Sequence, residues 1–451
     1  MKYRNALKYI IPLMLTLSPL FAGRAQNGFN LPYSQFGIGV TEQPNNMPMA
    51  ARLGGVVQTR SGNNYINPFN PASYASIETE SFVFDMAANI QMTSLSDNSQ
   101  RMKDADGNIS YLIVGFPITR WMKVAAGLMP YSTVDYESVY TTVDNSGMGY
   151  NKVKNIYNGT GGTSQLFVGS AFNLLGKGAT GRRLQAGFNV NYLTGRIERG
   201  LDYQFQGTDS TYYVNKFRYK ETKLSNLFFD LGVQYWEPLG ERYTLGVGLT
   251  YKPHRSSNVD DKGLVYTYRS SDQMLIDTIF PQPGDSPKYT STLERDHTVG
   301  IGISLERNKR WMIAADANFS GWSGLKYSEG LASPVLGSDV QRFGSWSRYA
   351  LALEKIGSMD AASYWGRIGV SLGAHIEQGA MRLMLQGSEH RIDEWGAGMG
   401  VTLPMRKGQS LLTLSVAYSR LGTKDLLQRE TITFGISVSS CERWFVKRKY
   451  N

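Results

Sequence analysis

The chain has 451 residues, a formal charge of +10, 19% charged and 12% aromatic residues, 48 glycines and one cysteine. Soluble globular chains carry about 25% charged residues, so this chain is poor in charge and rich in aromatic side chains. Its mean hydropathy is nevertheless negative, at −0.30, and no apolar run beyond residue 25 approaches the roughly 20 residues of a membrane-spanning helix. The composition therefore excludes a polytopic helical membrane protein, a disulfide scaffold and a disordered chain.

The first 25 residues have the pattern of a cleaved export signal. Three basic residues precede an apolar stretch at 9–21, and small residues at positions 23 and 25 precede Gln26. The stretch is too short to span a bilayer and contains two prolines, which favours removal during export; a buried N-terminal helix is the alternative. Because the single cysteine, Cys441, lies far from this region, the sequence predicts neither the usual lipoprotein nor an internal disulfide.

Residues 26–80 follow the predicted signal and show no alternation of polar and apolar residues. They contain five prolines, a Gly54-Gly55 pair and scattered apolar side chains. The segment is too apolar for a solvated tail and too interrupted for the core of a domain of its own. We therefore expect it to pack against the part of the chain that follows.

From residue 81 onward, apolar and polar residues alternate in segments of about ten residues or more. Phe82, Phe84 and Met86 share one side of the first segment, whereas Ser81 and Asp85 share the other. A period of two indicates half-buried strands. About fourteen strands are predicted, at residues 81–93, 109–118, 121–131, 163–175, 184–205, 212–236, 243–256, 291–305, 311–319, 345–357, 363–377, 391–403, 411–420 and 428–438.

The two faces of these strands differ in their side chains. One face carries large apolar residues, and the other carries small and polar residues and many glycines. Strands of a soluble sandwich or propeller average about 5–6 residues, and their apolar faces meet each other. Longer strands with a polar inner face are typical of a barrel in lipid. The sheet must close on itself, because unpaired backbone groups at an open edge are unfavourable in hydrocarbon. The sequence predicts an all-β fold: a transmembrane antiparallel β-barrel over residues 81–438 in the outer membrane, with a basic periplasmic tail at 439–451.

A barrel of about fourteen strands leaves a lumen that its own side chains do not fill, since filling occurs near eight strands. Residues 26–80 are therefore predicted to lie in the lumen as an N-terminal hatch. A periplasmic segment that docks a partner is the alternative. Four apolar residues are candidates for facing a ligand, with packing of the hatch as their alternative role: Phe36, Ile38, Met47 and Met49.

The stretch Asn67-Pro68-Phe69-Asn70-Pro71-Ala72, between the predicted signal and the first strand, resembles the Asn-Pro-Ala signature in the hatch of the FadL/TodX family of outer-membrane transport proteins. The basic end after the last strand is similar to FadL-like barrels as well. The resemblance implies fourteen strands, a lumenal hatch and passage of hydrophobic compounds such as long-chain fatty acids or aromatic hydrocarbons. Asn70, Pro71 and Ala72 match the motif. We expect them to fix the hatch backbone, because a proline restricts its own φ and favours an extended preceding residue.

The predicted function is passive uptake of hydrophobic small molecules by a monomer that contacts outer-membrane lipid. Charge is nearly balanced between the predicted signal and the basic tail, which argues against nucleic-acid binding. The four histidines lie in different segments without metal-ligand spacing, so we expect no metal, no cofactor and no enzymatic activity.

Two alternatives from other functional classes remain open at this point. The barrel could anchor or help assemble a secretion or surface-attachment machinery, with a periplasmic or secretion-system partner protein. It could also be an outer-membrane hydrolase, for which His375 beside Glu377 and His390 beside Glu389 are acid–base candidates. We expect both histidines at solvated outer ends of strands.

Overall fold

The fold is described from a computed structural model of the chain. The described residues are 31–35, 37–41, 44–98, 100–143, 150–176, 181–207, 213–281, 286, 288–308, 310–321, 341–358, 361–385, 388–405 and 410–443. The predicted signal, Phe36 and most of the predicted basic tail lie outside them.

From Ser81 onward the described residues are mostly strands, whereas residues 44–80 contain none. The two four-residue helices are α1 (Pro48–Ala51) and α2 (Tyr364–Arg367), and the two 3-10 turns are Pro32–Gln35 and Pro71–Ser76. Among the described residues, no helix combines the length and the apolar character needed to cross a membrane. The strands in chain order are β1 (Val40–Thr41), β2 (Ser81–Ser96), β3 (Arg101–Pro117), β4 (Met122–Val143), β5 (Tyr150–Leu175), β6 (Arg183–Gly207), β7 (Val214–Leu239), β8 (Tyr243–Lys252), β9 (Arg255–Arg269), β10 (Leu275–Phe280), β11 (Lys288–Arg295), β12 (Thr298–Arg307), β13 (Trp311–Gly321), β14 (Gln341–Phe343), β15 (Ser345–Lys355), β16 (Gly369–Gln378), β17 (Met381–Leu385), β18 (Ser388–Arg391), β19 (Glu394–Met405), β20 (Ser410–Leu421) and β21 (Gln428–Arg443).

Fourteen of these strands close into one antiparallel ring. The order round the ring is β2, β3, β4, β5, β6, β7, β8, β12, β13, β15, β16, β19, β20 and β21. The last strand pairs with the first over its whole length, from Ser81 opposite Arg443 to Ser96 opposite Gln428. The predicted transmembrane β-barrel of about fourteen strands is confirmed.

The outer surface of the ring is an apolar band. On β12, Ile301 and Ile303 are 48% and 52% exposed. Gly300 and Gly302, which alternate with them, face the lumen, where a Cβ added at either would meet Gln58. The same alternation of exposed apolar residues recurs on the other strands, for example at Leu351 on β15. Exposed apolar side chains around a closed barrel are a surface for lipid, and they are not packed against a second sheet.

Several strands are longer than predicted, because pairing continues beyond the apolar band. Strands β4 and β5 remain paired out to Val143 and Lys152. Strand β9 extends this sheet on β7 and in turn pairs with β10 and β11. At the opposite end of the barrel, β21 continues to Arg443, although the barrel is predicted to end at residue 438. Outside lipid the alternation of polar and apolar residues disappears, so the strand ends predicted from this alternation were too early.

We call the end of the barrel with these extensions the outer end, because long connections are typical of the external side. A small separate sheet also lies there, in which β17 pairs with β14 and with β18. Apolar residues of this sheet, such as Met381 and Leu383, pack near Tyr33 from the N-terminal part of the chain. The outer mouth is thus partly covered on one side.

Candidate functional site

Residues 44–77, here called the lumenal segment, lie inside the ring. Tyr74 donates a hydrogen bond to Asn189 Oδ1 on β6 at 3.0 Å, and the backbone N–H groups of Val57 and Gln58 donate to Asp316 Oδ2 on β13 at 2.6 and 2.8 Å. These contacts reach strands on different sides of the barrel, so the segment fills the lower lumen. The predicted boundaries of the hatch at 26 and 80, and its role, remain predictions.

Inward-facing glycines let the backbone of the lumenal segment lie directly on the barrel wall. A Cβ added at any of four such glycines would lie closer than 3.0 Å to a backbone atom of the segment. Real side chains do not tolerate that spacing, so these positions accept only hydrogen. The pairs are Gly187 with Pro71, Gly248 with Gln58, Gly373 with Leu53, and Gly398 with Ala51.

The Asn-Pro-Ala motif organises the interior of this segment. Asn70 is fully buried and extended, with φ −126° and ψ 100°, a conformation that the following proline favours. Its Oδ1 accepts a hydrogen bond from the Ala72 N–H at 3.2 Å, and its Nδ2 donates to the Gln58 carbonyl at 2.7 Å. Asn70 therefore caps the turn that begins at Pro71 and ties it to a distant part of the segment.

A buried ionic cluster fastens the lumenal segment to β15. Glu354 Oε1 accepts a hydrogen bond from Arg52 at 2.6 Å, its Oε2 forms an ion pair with Arg60 Nη1 at 2.8 Å, and its side chain is 5% exposed. Burial lowers the pKa of the Arg60 guanidinium, but the charge of Glu354, together with the nearby Tyr65 and Glu306, raises it above its usual value. Arg60 therefore remains a cation, and Arg52 and Arg60 share the Glu354 carboxylate.

A cavity of about 320 Å³ lies between the lumenal segment and the outer mouth. Part of its lining is apolar, with Ile38, Val40 and Tyr131 on the side of β4. The opposite side carries charged groups on β15, β16, β19 and β21, here called the polar wall. The polar wall consists of Arg348, Glu377, Glu394 and Arg429.

Each cation of the polar wall contacts an anion. Arg348 Nη1 lies 3.3 Å from Glu377 Oε2, and Arg429 Nη2 lies 3.5 Å from Glu394 Oε2. Arg348 Nη2 also donates to Asn45 Oδ1 of the lumenal segment at 2.5 Å. The polar wall is therefore electrically balanced and connected to the segment below.

The structure places three of the four candidate ligand-facing residues, and only one of these three lines the cavity. Ile38 lines the cavity. Met47 is buried with Ala50 and Val57 in the hydrophobic core, and Met49 Sδ accepts a hydrogen bond from Thr413 Oγ1 at 3.5 Å. Neither methionine is part of the cavity lining, and Phe36 lies outside the described residues.

The sequence reasoning missed the polar wall, although a signal for it was present. Arg348 and Glu354 occupy inward positions of β15, where small residues such as Ala350 are otherwise found. A charged residue at an inward position requires a partner inside the barrel. The expectation of a solvated His375 was wrong: it is 6% exposed, and its Nε2 lies 3.3 Å from both Asn45 Nδ2 and Glu394 Oε1. His390 on β18 is exposed.

The described residues 31–41, here called the edge segment, lie at the outer mouth. Tyr33 donates a hydrogen bond to the Leu427 carbonyl at 2.6 Å and packs in a cluster with Ile392. Burial raises the pKa of the Tyr33 hydroxyl to about 12. The hydroxyl is therefore protonated, and able to donate, throughout the physiological range.

The edge segment also covers an opening in the barrel wall. Strands β3 and β4 pair only between Leu112–Pro117 and residues 123–128. Beyond that point Pro130 interrupts β4, because proline has no N–H to donate, and the edge of β4 pairs instead with β1 through Val40 opposite Thr133. A two-residue strand from inside the barrel thus replaces β3 as the neighbour of β4.

Replacing Tyr33 by phenylalanine tests how firmly the edge segment is held. We expect the variant to lose about 1 kcal/mol of stability, the usual contribution of one hydrogen bond. Because the folded-state pKa is raised, the wild type should also lose stability as the pH rises from about 10 to about 12, and the variant should lack this contribution. Thermal unfolding measured across that pH range checks both effects; identical pH profiles for the two proteins would contradict them.

Structure comparisons place this architecture among solved barrels. A FadL homologue of Pseudomonas aeruginosa aligns with a TM-score of 0.54 and 13% identity over 87% of this chain and 98% of that one. The toluene transporter TbuX of Ralstonia pickettii gives 0.55 and 12% over 87% and 97%, and the toluene transporter TodX of Pseudomonas putida gives 0.53 and 12% over 88% and 98%. No curated protein matches the sequence.

The closed ring of fourteen strands, with a lumenal N-terminal segment below a cavity, defines a FadL-like transmembrane barrel, and the predicted resemblance to FadL/TodX proteins is confirmed. Within that fold, the sequence pattern of the BamG family matches residues 7–451. The chain belongs to the BamG family.

Proposed function

We propose that this protein is an outer-membrane channel for passive uptake of hydrophobic small molecules, fatty-acid-like or aromatic. One observation carries the proposal: a cavity at the outer mouth lies beside a stretch of wall where β3 and β4 do not pair. Tyr131 of β4 lines the cavity next to this stretch. A solute in the cavity is therefore close to a route out of the barrel.

The route that fits this geometry runs sideways. The lower lumen is filled by the lumenal segment, which rests on glycines and is held by the cluster around Glu354. An apolar solute gains free energy when it leaves water for the bilayer, by about 25 cal/mol per Å² of apolar surface. Release between β3 and β4 delivers it to the membrane interior without moving the lumenal segment.

In this scheme residues 26–80 are the hatch, and the edge segment is its movable part. The pairing of β1 with β4 covers only two residues, and moving the edge segment also breaks the hydrogen bonds that Leu31 and Ser34 make with Asp135 of β4. Residues 1–25 are proposed to be the removed export signal, which N-terminal sequencing of the mature protein checks. Within the part of the chain that the structure describes, His375 Nε2 contacts Asn45 and Glu394.

A disulfide between β1 and β4 tests the sideways route. Val40 and Thr133 are opposite each other in an antiparallel pair, where Cα atoms lie about 4.5–5.5 Å apart, within reach of a disulfide. We expect Val40→Cys/Thr133→Cys, in a Cys441→Ser background, to take up an apolar probe when reduced. When oxidised, its uptake should fall to that of vesicles without protein.

The controls for this experiment separate routes and channel types. The Cys441→Ser protein with Val40→Cys alone should transport equally under both conditions. Undiminished uptake by the oxidised double variant would rule out the sideways route. Equal uptake of a small sugar and the apolar probe by the wild type, with no change on deleting residues 26–75, would instead indicate a general porin and overturn the proposed function.

A second candidate function is supported by the outer sheet extension. Among the described residues, β10 is hydrogen-bonded to one neighbour, β9, and Leu275, Ile276 and Ile279 are exposed there. Apolar edge strands outside lipid attract further strands. The barrel would then anchor a partner protein, which would co-purify with the wild type and be lost with Ile276→Lys while solute uptake is unchanged.

A further inference from the structure

The polar wall is not the lining that a hydrocarbon requires. Arg348 has a side chain that is 2% exposed, and those of Glu394 and Arg429 are 13% and 12% exposed. A pure hydrocarbon in the cavity would remove the remaining water from these charges and offer no hydrogen bond in return, which is unfavourable. The occupant must therefore carry polar groups of its own.

The register of the strands places the charges of the polar wall in one row. Arg348 is opposite Glu377, and Glu377 is opposite Glu394. The row continues through Leu421, which is opposite both Glu394 and Arg429. Read across the strands, the charges are positive, negative, negative and positive, so two carboxylates lie between two guanidinium groups.

This order suits a head group with both signs of charge. A cation can lie between Glu377 and Glu394, and an anion beside it meets a flanking arginine. A lone carboxylate would meet the two central anions, and Arg348 already donates to Asn45 and to the Gly54 carbonyl. The balanced row thus disfavours a purely anionic ligand at these strands. The further cation of the cavity lining, Lys252 on β8, lies 3.8 Å from Asp230 Oδ2.

Part of the apolar lining lies across the ring from the Arg348 end of this row, whereas Leu421, within the row, also lines the cavity. Strand β15, which carries Arg348, is seven strands from β4 in either direction. Ile38, Val40 and Tyr131 line the β4 side of the cavity. A volume of about 320 Å³ is at the lower end of the about 300–1,000 Å³ of ligand sites, which limits the apolar part to a short chain.

We propose that the cavity binds a short-chain zwitterionic amphiphile, with its head group on the polar wall and its tail toward β4 and the wall opening. This inference rests on the proposed function and names its ligand class. Glu377 and Glu394 bind the cationic group, Arg429 binds the anionic group, and the tail is aligned with the sideways route. Phospholipids with a zwitterionic head group present the same chemistry.

The test uses the full-length protein in nanodiscs of purely anionic lipid, titrated calorimetrically with decyl amphiphiles that differ only in the head group. The probes are a decyl sulfobetaine, decyltrimethylammonium, decanoate and decanol, all below their micellar concentrations. We expect the sulfobetaine to bind about tenfold or more tightly than decanoate and decanol. Its quaternary ammonium is attracted by the carboxylates of Glu377 and Glu394 without a hydrogen bond, while its sulfonate accepts from Arg429. Decanoate or decanol binding as tightly as the sulfobetaine would overturn the inference.

Variants and a competitor assign the effect to the polar wall. Glu377→Gln/Glu394→Gln should remove the preference for the sulfobetaine over decanol, whereas Glu389→Gln, at an exposed carboxylate on β18, should keep it. An unchanged preference in the double variant contradicts the assignment, and the wild-type series remains decisive if that variant does not fold. Competition by added phosphatidylethanolamine would identify membrane lipid as the source of the head group.

The inference and the proposed function fail in distinguishable ways. If the wild type transports an apolar probe but binds all four decyl amphiphiles equally, the ligand class is wrong and the channel remains. If no decyl amphiphile binds and uptake equals that of empty vesicles, both are wrong.

Discussion

Replacing Gly373 by alanine is expected to displace the lumenal segment and open the lower barrel to ions. The added Cβ would lie closer than 3.0 Å to backbone atoms of Leu53 and Gly54. Backbone cannot rotate away as a side chain can, and overpacking of this kind costs typically about 1–3 kcal/mol. Single-channel recording in planar bilayers should therefore detect a conductance in the variant that the wild type lacks, together with a lower unfolding temperature.

Gly369 provides the matched control, because it lies on the same face of the same strand, β16. Its added Cβ would come no closer than 3.4 Å to any neighbour, the Thr402 Cβ. Gly369→Ala should thus keep the wild-type conductance and stability. If both alanine variants remain closed, contact with glycine is not what holds the lumenal segment in place.

Replacing Glu354 by glutamine is expected to have the largest effect on stability. Among the described residues, Glu354 is the carboxylate that forms ion pairs with both Arg52 and Arg60, and the change leaves both largely buried guanidinium groups without it. Breaking a buried ion pair by removing one partner costs about 3–5 kcal/mol. Thermal unfolding, followed by the change in electrophoretic mobility of the folded barrel, should occur at a clearly lower temperature.

Two further variants show whether burial is the cause. Glu389→Gln, which removes the exposed partner of Arg382, should change stability by only about 0–1 kcal/mol. Arg52→Met/Arg60→Met/Glu354→Leu should recover much of the loss, because apolar replacement of a whole buried cluster is often neutral. Unfolding of Glu354→Gln at the wild-type temperature would refute a role of this cluster in holding the segment.

The barrel could be predicted from the sequence because lipid acts on every strand in the same way. Each outward residue meets hydrocarbon, so apolar side chains recur at every second position, as at Ile301 and Ile303. Where the strands leave lipid, this uniform constraint ends. Residues 132–143 and 150–162 lie in strands of the structure, but their composition does not distinguish them from a loop.

The site was less predictable because it depends on register between distant strands. Arg348, Glu377 and Glu394 meet only because β15, β16 and β19 pair with a particular alignment. The pairing of Val40 with Thr133 has even less local signal, since a two-residue strand has no period. Individual inward charges could be found from the sequence, but the row that they form could not.

The small residues on the inner face were predicted correctly, but their role differs from the predicted one. Small residues at positions such as Gly248 suggest a wider lumen. In the structure this glycine is where the backbone of Gln58 approaches the wall. Because the approaching chain is backbone, its own sequence carries no matching signal.

The pairing of β21 with β2 across sixteen positions has a consequence for biogenesis. These strands are separated by more than three hundred residues of chain, so the ring closes only after the final strand is available to pair with the first. Loop closure on that scale is slow and entropically costly. Until the ring closes, the apolar hairpins and the lumenal segment are exposed and prone to aggregation. The lumenal segment has to enter the barrel while β21 pairs with β2, because the closed barrel has no opening wide enough to admit it afterwards.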